Sequence, residues 1–189
     1  VKNVVPSTIW VSPNGDHVIC VTVDPQTKKR QVNLDGQLLP GAYDAIAKDT
    51  PFFSADGKHH AFVATSGSKC MAVIDGVAQP AYEVGKDRWP ITGLMFGADG
   101  GKTHVAYQVS EKDKHAVVVN GKKLGAYDSI KGGLPGIWDF YFEGSYFAYR
   151  AKVGDKMVAC RGHVDGDKVH LVQSKPYLSI GSGSPMWMG

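Results

Sequence analysis

Gly41-Ala42-Tyr43-Asp44-Ala45-Ile46 returns three more times along the 189 residues of this chain. It comes back as Pro80-Ala81-Tyr82-Glu83-Val84, as Gly125-Ala126-Tyr127-Asp128-Ser129-Ile130, and more loosely as Lys175-Pro176-Tyr177-Leu178-Ser179-Ile180. The four tyrosines stand 39, 45 and 50 residues apart. A period of that size marks a repeat architecture, in which each unit is one supersecondary element that buries its apolar face only against its neighbours.

Working outward from the tyrosine, each unit carries the same order of signals. A short apolar run runs into a tight turn: Ile9-Trp10-Val11 into Ser12-Pro13-Asn14-Gly15, and Phe52-Phe53 into Ser54-Ala55-Asp56-Gly57. Leu94-Met95-Phe96 runs into Gly97-Ala98-Asp99-Gly100, and Phe140-Tyr141-Phe142 into Glu143-Gly144. Asn-Gly and Asp-Gly between apolar runs are hairpin signals, because the turn needs residues that tolerate positive φ. Second strands follow over 17–23, 59–64, 104–109 and 146–151, rich in β-branched and aromatic residues. A third strand ends at Asp75-Gly76 and again at Asn120-Gly121, and the Ala-Tyr-Asp segment supplies a fourth. With no helical periodicity between them, four strands per unit predict an all-β chain of antiparallel four-stranded blades, a β-propeller. The blades fall at about residues 7–46, 51–84, 93–130 and 138–180, and 185–188 resembles the first strand of a fifth.

Phe53-Ser54-Ala55-Asp56-Gly57-Lys58, followed by His59-His60-Ala61-Phe62-Val63-Ala64, resembles the core of WD40-like propeller repeats of the TolB type. Val73-Ile74-Asp75-Gly76 and Tyr82-Glu83 resemble the second half of the same repeat. The resemblance covers nearly the whole chain and implies a propeller, while leaving activity open, since propellers host unrelated functions. The first unit departs from the pattern with Ser12-Pro13-Asn14-Gly15, and the fourth with its shortened turn and an insertion over 163–175.

Composition excludes several classes. Twenty-one basic residues against 18 acidic leave a net charge of +3, and an isoelectric point near 8.7 lacks the excess expected of a nucleic-acid binder. No apolar run reaches membrane-spanning length. The start at Val1 suggests that an upstream segment is removed. Cys20, Cys70 and Cys160 cannot form a complete disulfide set and are expected as buried small hydrophobes. The odd count points away from an oxidising compartment; the family resemblance points towards an extracytoplasmic one.

Pro185-Met186-Trp187-Met188 matches Pro51-Phe52-Phe53 and leaves three arrangements open. It could begin a fifth blade, serve a second chain in a homodimeric eight-bladed ring, or close four blades on themselves. A piece of a larger propeller, covalent or assembled, is favoured, because an unpaired edge strand is a liability.

Resemblance to propellers implies a binding face made by the loops after the fourth strand and between the second and third. Those loops hold Lys48-Asp49, Asp87-Arg88-Trp89, Lys131 and Trp138-Asp139. Arg88 and Trp89 lead this set, because Arg and Trp are favoured interface anchors; against that, Trp89 and Trp138 suit packing between blades. His17, His59 and His104 recur at one repeat position, with Tyr146 taken as the fourth member, but on second strands they sit too far apart to share a metal. His163, Asp165, Asp167 and His170 form the densest polar cluster. They lack the ladder of a calcium loop, and an Asp-Gly turn is the default there. With no catalytic constellation and no cofactor signature, the sequence predicts a non-enzymatic module that binds or scaffolds protein partners. A carbohydrate- or small-ligand-binding propeller and the propeller portion of a larger enzyme are the alternatives.

Overall fold

The computed structural model describes residues 3–85, 89–112, 114–128 and 137–178. Every element in them is a strand. The first sheet runs in the order β1 (Asn3–Val11), β2 (Val18–Val23), β3 (Arg30–Leu34), β4 (Gln37–Leu38). In the second, β7 (His60–Ser66) and β8 (Lys69–Ile74) form the centre. β5 (Ala45–Ile46) and β6 (Phe52–Phe53) share one side of it, and β9 (Val77–Ala78) and β10 (Tyr82–Glu83) the other. The third sheet is β11 (Ile91–Asp99), β12 (Lys102–Glu111), β13 (Lys114–Val119), β14 (Lys122–Asp128). The fourth is β15 (Ile137–Glu143), β16 (Tyr146–Val153), β17 (Lys156–Asp165), β18 (Lys168–Gln173). All pairings are antiparallel meanders, as alternating strands and tight turns dictate.

First strands reach further back than the sequence reading placed them, because each is broken in the middle. The ladder shifts between Val4 and Ile9, between Thr92 and Met95, and between Trp138 and Tyr141. In the second sheet the same break is a loop between β5 and β6, closed by the cis Thr50–Pro51 bond. Ala45–Ile46, expected inside the first unit, pairs with Ala64 and Thr65 of the second. The signature segment is thus a crossover. Tyr43 still bridges Arg30 at the outer edge of the first sheet, and two residues later the chain belongs to its neighbour.

The signature residues have distinct duties there. Gly41 and Gly125 adopt φ of +102° and +72°, and a Cβ on either would run into the ring of the tyrosine two residues on. Gly-Ala-Tyr therefore spells a tyrosine folded back over bare backbone. Those rings then pack edge-on against the following sheet, Tyr43 on Phe62 and Tyr127 on Tyr149, both at 5.6 Å. The acid after the tyrosine pairs with a lysine at the first position of the third strand or just before it: Lys29 with Asp44, Lys69 with Glu83, Lys114 with Asp128.

Sheets stack face to face in series. Ile19, Val21 and Val32 pack against Phe62, Ala64 and Val73. Val63, Cys70 and Ala72 pack against Tyr107, Val109 and Val118. Ala106, Val117 and Val119 pack against Phe147, Tyr149 and Val158. Each fully buried large side chain in these layers contributes about 2 kcal/mol by removal from water. Among the described residues no buried cluster joins the first sheet to the fourth. The architecture is an all-β series of four-stranded antiparallel sheets, and among the described residues the first and the fourth each keep one face that packs on no other sheet.

Two expectations are corrected here. Residues 163–175, expected as an insertion that interrupts the unit, are built into the sheet: β17 and β18 form one long regular hairpin, with Gly166 at its turn at φ +56°. The alternation of Val158, Cys160, Val164 and Val169 towards the core carries it through. Tyr146 is also not the fourth member of the histidine position. Asp35, Asp75, Asn120 and Val164 donate their amides to Val18, His60, Val105 and Ser145, which aligns Gly144 with the histidines.

Candidate functional site

The recurrent histidines are structural. His17 Nδ1 lies 2.7 Å from Asp35 Oδ2, and His59 Nδ1 2.7 Å from Asp75 Oδ2. His104 Nδ1 lies 2.9 Å from the Asn120 side chain. Asp35, Asp75 and Asn120 are the first residues of Asp-Gly and Asn-Gly turns at φ of +51°, +49° and +46°, and their carboxyl or amide oxygens accept the amides of Val18, His60 and Val105. Each histidine locks a hairpin turn. His17 and His59 also lie over Phe53 and Phe96 of the next sheet, both at 6.4 Å. The Val18 amide and His17 together hold the Asp35 carboxyl below the usual carboxylate range.

The expected binding residues fall in three groups. Asp87, Arg88 and Lys131 lie outside the described residues, as do Pro185, Met186, Trp187 and Met188. Trp89 is half-buried and packs against the cluster between the second and third sheets, beside Tyr82 and Ile91. Lys48, Asp49, Trp138 and Asp139 all sit at the break of a first strand, so the repeat brings them to corresponding places. Lys48 and Asp49 are exposed in the β5–β6 loop; Trp138 pairs through its backbone with Arg150.

Asp139 carries the most information in that group. It is held at φ +50°, whereas the third sheet places Gly93 at φ +61° in the corresponding bulge. A non-glycine residue there is uncommon and marks a place where the side chain is wanted. Its carboxylate pairs with Arg150 Nη2 on the outward face of the fourth sheet, and Arg150 Nε is buried without a partner. Bulges re-aim side chains in this way at the rims of sheets.

That outward face is a concavity of about 1020 Å³, lined among others by Asp139, Tyr141, Tyr146, Arg161, His163 and His170. Strand register builds it in two rows. Glu143, Tyr146, His163 and His170 are successive cross-strand partners, and so are Tyr141, Ala148, Arg161 and Val172. The first row is a ladder of rings: His163 stacks on His170 at 4.7 Å and 13°, and Tyr146 lies 5.9 Å from His163. Tyr146 and Tyr141 are 66% and 54% exposed, and Arg161 is exposed without an ion pair among the described residues.

Of the four residues weighed for a cation, His163 and His170 are thus a stacked pair on this face, while Asp165 and Asp167 flank the turn beyond it. No group of three or more His, Cys, Asp or Glu side chains is placed to hold a metal ion among the described residues. The aromatic–arginine surface was missed by sequence reasoning. Its signal was the out-of-pattern Tyr146, Arg161 and His163 at positions where earlier units carry aliphatic residues. No family model matches the chain, and no curated protein is significantly similar to it.

Proposed function

We propose that this chain is a non-enzymatic binding module built of propeller-type repeats, WD40-like and resembling the TolB type, that engages a protein partner through the outward face of its fourth sheet. One observation carries the reading. At the positions through which the first three sheets meet their successors, they hold Ile19 and Leu34, Ala61 and Ile74, Ala106 and Val119. The fourth sheet has Tyr146 and His163 there, followed by Ala148 and Arg161. Tyr and Arg are the residues most enriched at interface hot spots, whereas Lys and Glu are depleted. The face carries two tyrosines and an arginine, with Glu143 and Lys168 at its turn end.

The absence of catalytic chemistry in this reading is supported by how the polar pairs are used. His17–Asp35, His59–Asp75 and the three Lys–acid pairs are all engaged in turns and contacts repeated from unit to unit. Groups repeated for folding are poor candidates for a single reaction centre.

The test is affinity capture with the intact chain, in parallel with Tyr146→Ala and Arg161→Glu. A protein retained by the wild type and lost by both folded variants is expected. Retention unchanged in both variants removes this face from the function.

A further inference from the structure

The partner class can be narrowed, resting on the binding role just proposed for the fourth sheet. In each internal interface, bulk comes from the later sheet. Phe62, Tyr107 and Phe147 occupy one register position and lie against the aliphatic rows of the sheet before them. The corresponding residue of the first sheet is Cys20, paired with Asn33. The outward face of the first sheet is therefore of the kind that supplies the bulk in the internal interfaces, with its large ring missing.

At the other end of the stack the inversion is reciprocal. The fourth sheet's outward face is of the kind that takes that bulk, and there aliphatic side chains are replaced by large polar ones: Tyr146 and His163 in one row, Arg161 in the next. Bulk absent from one terminal face is present on the other. The first sheet's face is otherwise apolar and uncharged, with Val4, Ile9, Val11 and Val18 between 43% and 61% exposed. Thr22, Gln31 and Asn33 lie on the same face on neighbouring strands, with Thr22 buried and bonded to the Gln31 carbonyl.

We propose that the outward face of the fourth sheet docks the outward face of the first sheet of a second copy of this chain, repeating the internal stacking with the sizes exchanged. Such a contact is heterologous, so each copy uses both faces, and two copies close a ring of eight sheets when the turn per sheet allows it. Tyr146 and Arg161 on one copy meet Cys20, Ile9 and Val11 on the other.

The experiment is solution mass by sedimentation and light scattering over a wide concentration range. The wild type is expected at twice the 20.3 kDa of one chain or at a higher multiple. Arg161→Glu and Val11→Glu are each expected to abolish self-assembly. Mixed together, they are expected to form a heterodimer that stops at two chains, since one intact face of each kind remains. Circular dichroism checks that both are folded; if either is not, Tyr146→Ala and Ile9→Ser replace them. With Ala148→Cys, a short bis-maleimide is expected to join Cys20 of one chain to position 148 of another. A wild type that stays monomeric overturns the proposal, as does a mixture that fails to associate or a variant that still self-assembles. A monomer that nonetheless captures another protein through Tyr146 and Arg161 leaves the binding role standing; a monomer that captures none removes both.

Discussion

Asp44 of the first sheet accepts a 2.7 Å hydrogen bond through Oδ2 from the backbone amide of Gly67, in the β7–β8 turn of the second. Its other oxygen meets Lys29 Nζ at 2.5 Å. Asp128 repeats the arrangement, pairing with Lys114 and accepting the Gly154 amide of the fourth sheet at 2.7 Å. The acid of the signature is thus a staple between consecutive sheets, which an exposed ion pair alone would not be. Exposed pairs contribute little, so Lys29→Ala is expected to leave the urea midpoint almost unchanged. Asp44→Ala also removes the bond to the Gly67 amide and is expected to lower the midpoint more, with Asp44→Asn between the two. Equal midpoints for Lys29→Ala and Asp44→Ala would refute the staple.

The same carboxylates add a modest acid dependence to the fold. Asp44, Glu83 and Asp128 are held below the usual carboxylate range, chiefly by their lysine partners. A carboxyl depressed in the folded state contributes stability that is complete above its unfolded pKa, about 4. That contribution is lost as pH falls through the lower folded value. His60 and His104 act in the same direction at higher pH, because burial pushes both imidazoles below their ordinary value. Their contribution is present above about pH 6.5 and declines below it. Thermal midpoints are expected to fall in two stages on acidification. His60→Gln is expected to flatten the first stage and Asp44→Asn the second.

At the interface of the third and fourth sheets, the hydroxyls of Tyr127 and Tyr149 lie 2.9 Å apart, both buried, with Cys160 Sγ 3.3 Å from Tyr127. Burial pushes both phenols well above their ordinary pKa, so they stay neutral and donate. Removing one hydroxyl leaves its partner short of a bond in a dry layer, at a cost of about 1–3 kcal/mol. Tyr127→Phe and Tyr149→Phe are each expected in that range, and the double variant well below their sum. Strict additivity in the double-mutant cycle would show that the two hydroxyls do not interact.

Cysteine reactivity reports on the two kinds of surface. The Cys70 thiol is fully buried and pushed up to about 11 by burial, while Cys20 is half-buried on the outward face of the first sheet. Thiolate is the reactive form, so a native-state maleimide titration is expected to label Cys20 first and leave Cys70 and Cys160 until unfolding. Protection of Cys20 that increases with protein concentration would follow from the docking of a second copy. Prompt labelling of Cys70 would contradict the packing of the second and third sheets.

Much of the fold was legible because its signals are local. Alternation and Asp-Gly turns announce hairpins, and the spacing of Tyr43, Tyr82, Tyr127 and Tyr177 announces the units. The breaks in the first strands were not legible, since a bulge at Gly93 or Asp139 depends on which residues of β12 or β16 lie opposite. For the same reason Ala45–Ile46 was placed in the wrong sheet: its apolar pattern suits either, and only pairing to Ala64 and Thr65 decides. The candidate site was half legible. His163 and His170 stood out as a polar cluster, but their alignment with Tyr146 and Arg161 requires the register of a hairpin that the sequence reading had set apart as an insertion.

The glycine of the signature offers the sharpest separation of two physical effects. Gly121 and Gly125 both adopt positive φ, at +77° and +72°, but a Cβ on Gly121 meets nothing within 4 Å, whereas on Gly125 it strikes the Tyr127 ring. Alanine at Gly121 therefore carries only the cost of left-handed backbone, about 1–2 kcal/mol. Alanine at Gly125 carries that cost and also displaces a buried ring that packs on Tyr149 and hydrogen-bonds to it. Overpacking of this kind adds about 1–3 kcal/mol. Gly125→Ala is expected to be clearly the more destabilising in urea titrations. Combining it with Tyr127→Ala should relieve part of the penalty, since the ring that clashes is gone. If the two glycine variants lose the same stability, Gly-Ala-Tyr owes its recurrence to the turn alone, and the tyrosine's seat over the backbone plays no part.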